Sequence, residues 1–160
     1  MFRSKRAHQK LRSTHTLNRV ANGPGGSHDA LPRIVLVVED HPDTQSAVAV
    51  HLSMQGFEVL VASDGETALQ LARARRPSLV YIDLCLPRIS GYEVCERIRA
   101  DAELRGVIIL MTSAGGMVDK EAHSLEAGAD MYLPKPFDLD ELREHIERSL
   151  VLVQASPSSE

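Results

Sequence analysis

From Arg33 onward, apolar and polar positions switch between two periods. Arg33 to Val38 is an almost unbroken β-branched run, the composition of a strand buried on both faces. Asp43 to Gln55 carries Val48 and Leu52 at helical spacing, and Gly56 follows as a stop. Phe57 to Ala62 reads as a second strand. Ser63, three residues before Glu66, reads as the capping box of a helix with Ala68, Leu71 and Ala72 as its apolar stripe and Pro77 as its end. Leu79 to Ile82 is a third strand, and Gly91 to Arg99 a helix with Val94 and Ile98 one turn apart. Val107 to Met111 is a fourth strand, followed by a helix from Val118 to Ala127 that Gly128 ends, and Met131 to Leu133 is a short fifth strand. A last helix runs from Asp138, its cap, to about Val151, with Leu142, Ile146 and Leu150 on one face.

Five βα units in strict alternation predict an α/β fold, an open parallel sheet with helices on both faces. Right-handed crossovers leave few topologies for it. In such sheets the working residues gather at the carboxyl ends of the strands, near the switch in strand order. Those ends carry Glu39 and Asp40, Asp83, Thr112 and Ser113, and, beyond the fifth strand, Lys135. Two carboxylates about 4 Å apart repel by roughly 4 kcal/mol at an effective dielectric near 20, so three at one rim call for a cation. Oxygen ligands open to solvent suit Mg²⁺, which keeps several waters and takes one or two carboxylates plus phosphate oxygens. A carboxylate beside that ion is a nucleophile for phosphoryl transfer, and Lys135 would help neutralise charge on the transferring group. One acidic residue at a strand end is more often a turn or cap residue. Chemistry-bearing residues at four strand ends together argue for a site.

Outside the alternation the chain changes character. The first 32 residues hold six Lys/Arg against one acid, a net +5, and close on Asn22-Gly23-Pro24-Gly25-Gly26-Ser27, the composition of a linker. They read as a disordered basic extension. Residues 152–160 are polar and broken by Pro157, a flexible tail, which leaves 33–151 as one domain. The rest of the chain after residue 32 holds 12 Lys/Arg against 21 acids, a net −9 within the overall −4. A basic extension without interleaved aromatics is weak ground for nucleic-acid binding, and no helix-turn-helix module fits beyond Val151, so nucleic acid is not an expected partner. No apolar run of about 18 residues predicts a membrane span, and no apolar segment behind the basic N-terminus makes a secretory signal. Cys85 and Cys95 have no metal-ligand spacing; a reduced, cytoplasmic setting fits them.

Three stretches, taken together, carry a resemblance: Val37-Val38-Glu39-Asp40-His41, Asp83-Leu84-Cys85-Leu86-Pro87-Arg88-Ile89-Ser90-Gly91, and Ala127-Gly128-Ala129-Asp130-Met131-Tyr132-Leu133-Pro134-Lys135-Pro136-Phe137. They resemble the receiver domains of response regulators in two-component signalling, over about Arg33 to Leu150. The resemblance implies a flavodoxin-like (βα)5 sandwich with a five-stranded parallel sheet of order 2-1-3-4-5. It implies Asp83 as phosphoacceptor, Asp40 as a direct Mg²⁺ ligand, Glu39 acting on the ion through water, and Asp83 and the backbone carbonyl of Cys85 as further ligands. Lys135 would contact phosphate and form a cis bond to Pro136. Relatives place the switch hydroxyl thirty residues after the acceptor and twenty-two before the lysine. Both counts select Ser113, with Thr112 as the alternative. Tyr132, three before Lys135, matches the aromatic that turns inward on activation. Leu86 stands where relatives often have Met, a volume-conserving exchange.

The implied function is a stand-alone phosphorylation switch that is not an enzyme. A histidine kinase or phosphotransfer protein would supply the phosphoryl group. An output protein would read the surface of the last two α/β units, and phosphorylation could drive homodimer formation. A flavodoxin-like cofactor binder is the competing reading, and Glu39 with Asp40 opposes it by repelling phosphate from the loop after the first strand.

Overall fold

A computed structural model describes residues 33–115 and 119–155, with side chains up to Leu152. The element order is β1 (Ile34–Val38), α1 (Pro42–Met54), β2 (Glu58–Ala62), α2 (Gly65–Arg75), β3 (Leu79–Asp83), α3 (Gly91–Ala100), β4 (Ile108–Ala114), α4 (Asp119–Glu126), β5 (Met131–Lys135) and α5 (Leu139–Ala155). The strands form one parallel sheet in the order β2-β1-β3-β4-β5, as the resemblance implies.

Side chains alternate across the strands and divide the core in two. Leu36, Val38, Val80, Ile82, Ile109 and Met111 pack under α2 and α3 against Ala68, Leu69, Ala72, Val94, Cys95 and Ile98. Val35, Val37, Leu79, Tyr81, Leu110 and Leu133 pack on the other face against Val48 and Leu52 of α1 and Leu142, Ile146 and Leu150 of α5. All five residues of β3 are buried, which explains its run of large apolar residues.

Element ends differ from the sequence expectation for local reasons. The cap of α2 is Asp64 and not Ser63: its carboxylate accepts from the Thr67 N–H and from Thr67 Oγ1, both at 2.9 Å, and a negative charge there also suits the helix dipole. Ser63 Oγ instead receives Gln45 Nε2 at 3.2 Å. The buried stripe of α2 is Ala68, Leu69 and Ala72, with Leu71 half-buried. Both β4 and β5 run past the expected ends, to Ala114 and Lys135; Pro134 is tolerated because β5 is an edge strand. Helix α5 continues to Ala155, through the start of the expected polar tail, since no breaker occurs before Pro157. The basic extension of 1–32 and residues 156–160 lie outside the described residues. Among the described residues, no helix is long and apolar enough to cross a membrane.

Candidate functional site

The sheet order reverses between β1 and β3, and the C-terminal ends of those strands open the crevice. Glu39 and Asp40 follow β1, and Asp83 ends β3. In register, Asp83 lies abreast of Thr112, and Ala114 abreast of Lys135. Four strands thus deliver their terminal residues to one rim.

One ammonium ties the centre together. Lys135 Nζ donates to Asp83 Oδ2 at 2.6 Å and to Glu39 Oε2 at 2.7 Å. Asp83 Oδ1 accepts from the Cys85 N–H at 2.7 Å, and Glu39 Oε1 from the His41 N–H at 3.2 Å. Glu39 and Asp83 are buried, whereas Asp40 is exposed. Burial pushes the Glu39 carboxyl above its ordinary value; Lys135 opposes that shift and the Asp83 charge adds to it. Burial alone would lower the Lys135 ammonium, but its hydrogen bonds to Asp83 and Glu39 outweigh burial and hold it above the ordinary lysine value.

The three carboxylates can each offer an oxygen within 4.8 Å of the others. Around an octahedral Mg²⁺ with ligands at about 2.1 Å, oxygens lie roughly 3 Å apart when adjacent and about 4 Å when opposite. Asp40 and Asp83 as direct ligands, with Glu39 acting through a water, suit that spread. The donors are hard oxygens, and exposed Asp40 leaves one side open to water, so the residues fit Mg²⁺. Cys85 sits beside the acceptor through its N–H, and its thiol is exposed.

The two candidate switch hydroxyls fall on opposite faces. Thr112 follows Leu110 on the α1/α5 side; it is fully buried, and its Oγ1 has no hydrogen-bond partner among the described residues. Ser113 follows Met111 on the α2/α3 side, is also fully buried, and donates to the Ala114 carbonyl at 3.1 Å. Tyr132 is half-buried on the Ser113 side. Its phenol is raised by burial first and then by neighbouring Tyr92 and Glu121, with the Ser113 hydroxyl acting the other way. The Lys135–Pro136 bond is cis.

Three contributors escaped the sequence reading. Gly91 packs on the acceptor's own backbone: a Cβ there would lie 2.5 Å from the Asp83 carbonyl oxygen and 2.9 Å from Leu84 Cα. Gln45 Nε2 fastens the loops after β1 and β2 by donating to the carbonyls of Glu39 at 2.9 Å and Ala62 at 3.2 Å. Lys120 Nζ reaches Ser113 Oγ at 2.9 Å. A polar residue within a helix gives no sequence sign that it folds back onto a strand end; the glycine after Ser90 could have been noticed as a helix-start packing position. Beside Lys135 lies a cavity of about 600 Å³ walled by Thr44, Ala47, Val48, Phe137 and Leu139.

Comparison with known proteins gives a consistent outcome. Residues 35–147 match the family model described as the response regulator receiver domain. The chain is 36% identical to the DNA-binding dual master transcriptional regulator RpaA of Synechocystis over 81% of this chain and 55% of that protein. It is 39% identical to the response regulator MprA of Mycolicibacterium vanbaalenii over 70% of this chain and 48% of that protein. The chain therefore spans about half the length of these curated relatives. Among solved structures, the chemotaxis response regulator CheY4 of Vibrio cholerae matches with a TM-score of 0.70 and 28% identity, covering 74% of this chain and 98% of that one. The expectation that nucleic acid is not a partner finds no support in these relatives, one of which is described as DNA-binding.

Proposed function

The chain belongs to the response regulator receiver family, and from that premise we propose that it is a phosphorylation switch that accepts a phosphoryl group on Asp83 with Mg²⁺ bound beside it. The observation that carries this reading is the meeting of Glu39, Asp40 and Asp83 oxygens within 4.8 Å, with Lys135 bridging two of the three residues.

A histidine kinase or phosphotransfer protein presents a phosphohistidine. A carboxylate oxygen of Asp83 attacks the phosphorus; the O–P bond forms as the N–P bond breaks, and the imidazole keeps the electron pair and takes up a proton. Asp40, Asp83 and the Cys85 carbonyl would hold the ion, with Glu39 acting through water, and the bound ion would supply charge neutralisation at the transferring oxygens. Lys135 exchanges its Asp83 contact for a phosphate oxygen. The phosphoryl group of the product carries about −1.5 to −2 charges in place of the single charge of the Asp83 carboxylate, and presents three acceptor oxygens, to which Ser113 donates while Tyr132 turns inward. The apolar cavity beside Lys135 suits a helix of the donor protein. The chain acts as a phosphoacceptor and not as a turnover enzyme, in the cytoplasm.

Two outputs fit. A stand-alone switch would present the surface of α4, β5 and α5 to a partner protein, or to a second copy of the chain. Transcriptional output through DNA is favoured by the description of RpaA. The reading of the acceptor is the same for both.

The test is incubation with acetyl phosphate and Mg²⁺, read by intact mass. One added phosphoryl is expected, absent without Mg²⁺ and absent in Asp83→Asn. Equal incorporation in Asp83→Asn sinks the assignment.

A further inference from the structure

The junction between β4 and α4 holds a cation that the chemistry above does not use. Lys120, in the first turn of α4, reaches back over the end of β4. Its Nζ donates to Ser113 Oγ at 2.9 Å and to the Ala114 carbonyl at 2.8 Å. The one proton of Ser113 goes to the same Ala114 carbonyl at 3.1 Å. Ammonium, hydroxyl and carbonyl close a triangle around a fully buried serine. The backbone of Lys120 is fixed in turn, because the buried Ser124 Oγ donates to its carbonyl at 2.6 Å.

A hydroxyl has one proton and two lone pairs. To answer a phosphoryl group on Asp83, Ser113 must donate that proton to a phosphate oxygen. Here the proton is committed to Ala114, and the hydroxyl oxygen is held by a cation. Activation must break this arrangement. We propose that Lys120 is a positioning residue that latches Ser113 in its unphosphorylated arrangement and so sets how readily the acceptor switches. The proposal rests on the phosphoacceptor reading of Asp83.

Lys120 has two opposed effects, and their signs separate them. As a positive charge near the site it would attract an anionic group, a long-range effect that salt screens. As a latch it resists the movement of Ser113. The latch acts through direct, charge-assisted bonds on a buried oxygen, whereas Lys120 itself is partly open to solvent, so the latch dominates.

The experiment titrates the full chain with beryllofluoride, a mimic of the aspartyl phosphoryl group, in the presence of Mg²⁺, and follows bound fluoride by ¹⁹F NMR. Lys120→Met should tighten binding about tenfold, the order of one charge-assisted hydrogen bond, and Lys120→Arg should restore the wild-type affinity. In a Ser113→Ala background, Lys120→Met should give no tightening, because the latched group is gone. If circular dichroism or thermal melts show that Lys120→Met loses α4, Lys120→Gln takes its place with the same expected tightening, and tightening in Lys120→Arg equal to that of the folded neutral variant would overturn the proposal. Weaker or unchanged binding by folded Lys120→Met, or the same tightening without Ser113, would also overturn it. Failure of the wild-type chain to bind beryllofluoride at all overturns the acceptor reading and the latch with it. Normal wild-type binding with an unresponsive Lys120→Met sinks the latch alone.

Discussion

Lys135 Nζ lies 2.6 Å from Asp83 Oδ2 across a separation of 52 residues in the chain. The same ammonium serves Glu39 Oε2 at 2.7 Å, and both carboxylates are buried. Removing one partner from a buried ionic cluster leaves uncompensated charge in a poorly solvated place. Lys135→Met should therefore lower stability by about 3 kcal/mol at neutral pH, read by urea denaturation. Millimolar Mg²⁺ should recover part of the loss, since a cation that binds only the folded state stabilises it by mass action. A variant as stable as the parent without Mg²⁺ would show that the carboxylates do not depend on the ammonium.

Asp40 adds a third negative charge within 4.8 Å of the other two carboxylates, and its side chain is exposed. Without a divalent ion its charge is a liability to folding; with the ion it is a ligand. Asp40→Asn should raise the Mg²⁺-free melting temperature by about 2–4 °C and abolish most of the further rise that Mg²⁺ gives the parent. Melts at several Mg²⁺ concentrations check both halves. A full Mg²⁺ response in the variant would remove Asp40 from the ligand set.

The order of elements was readable because burial on both faces leaves long apolar runs, as in Ile34–Val38 and Leu79–Asp83. Strand ends were harder. Thr112, Ser113 and Pro134 look like loop residues, yet the pairing of Asp83 with Thr112 and of Ala114 with Lys135 extends the ladder through them. Ser63 reads as the cap from its spacing to Glu66, and only the geometry shows that its neighbour Asp64 fills that place. In the site, Glu39, Asp40, Asp83 and Lys135 were legible because strand ends converge by topology. Lys120 and Gln45 were not, because their roles come from side chains folding back from helices onto strand ends.

Gly91 starts α3 against the carbonyl of Asp83, where a Cβ would lie 2.5 Å from a backbone oxygen. A backbone atom cannot swing away as a side chain can, so Gly91→Ala must displace the segment that holds the acceptor. The variant should lose about 1–3 kcal/mol and much of its Mg²⁺-dependent phosphoryl uptake from acetyl phosphate. Gly106→Ala is the control, since nothing lies within 4 Å of a Cβ there, and it should be nearly neutral. Equal behaviour of the two variants in both assays would contradict the packing argument.

The two cysteines should separate by reactivity. Cys85 is exposed beside the acceptor, whereas Cys95 is buried in α3 with its Sγ donating to the Ala127 carbonyl at 3.3 Å. Burial pushes the Cys95 thiol up to about 11, and the thiolate is the form that alkylates. In the unfolded chain the same thiol ionises near its ordinary value of about 8.5. The unfolded state therefore gives up this proton first as pH rises: the neutral thiol costs the fold nothing below about 8.5, and between that value and about 11 it progressively favours unfolding. Native protein treated with iodoacetamide at pH 8 should gain one adduct, mapped to Cys85, and a second at Cys95 only in denaturant. Cys95→Ala should in turn flatten part of the fall in stability above about pH 8.5. Rapid double alkylation of the folded chain at pH 8 would place Cys95 in a far more open environment than the α3 core provides.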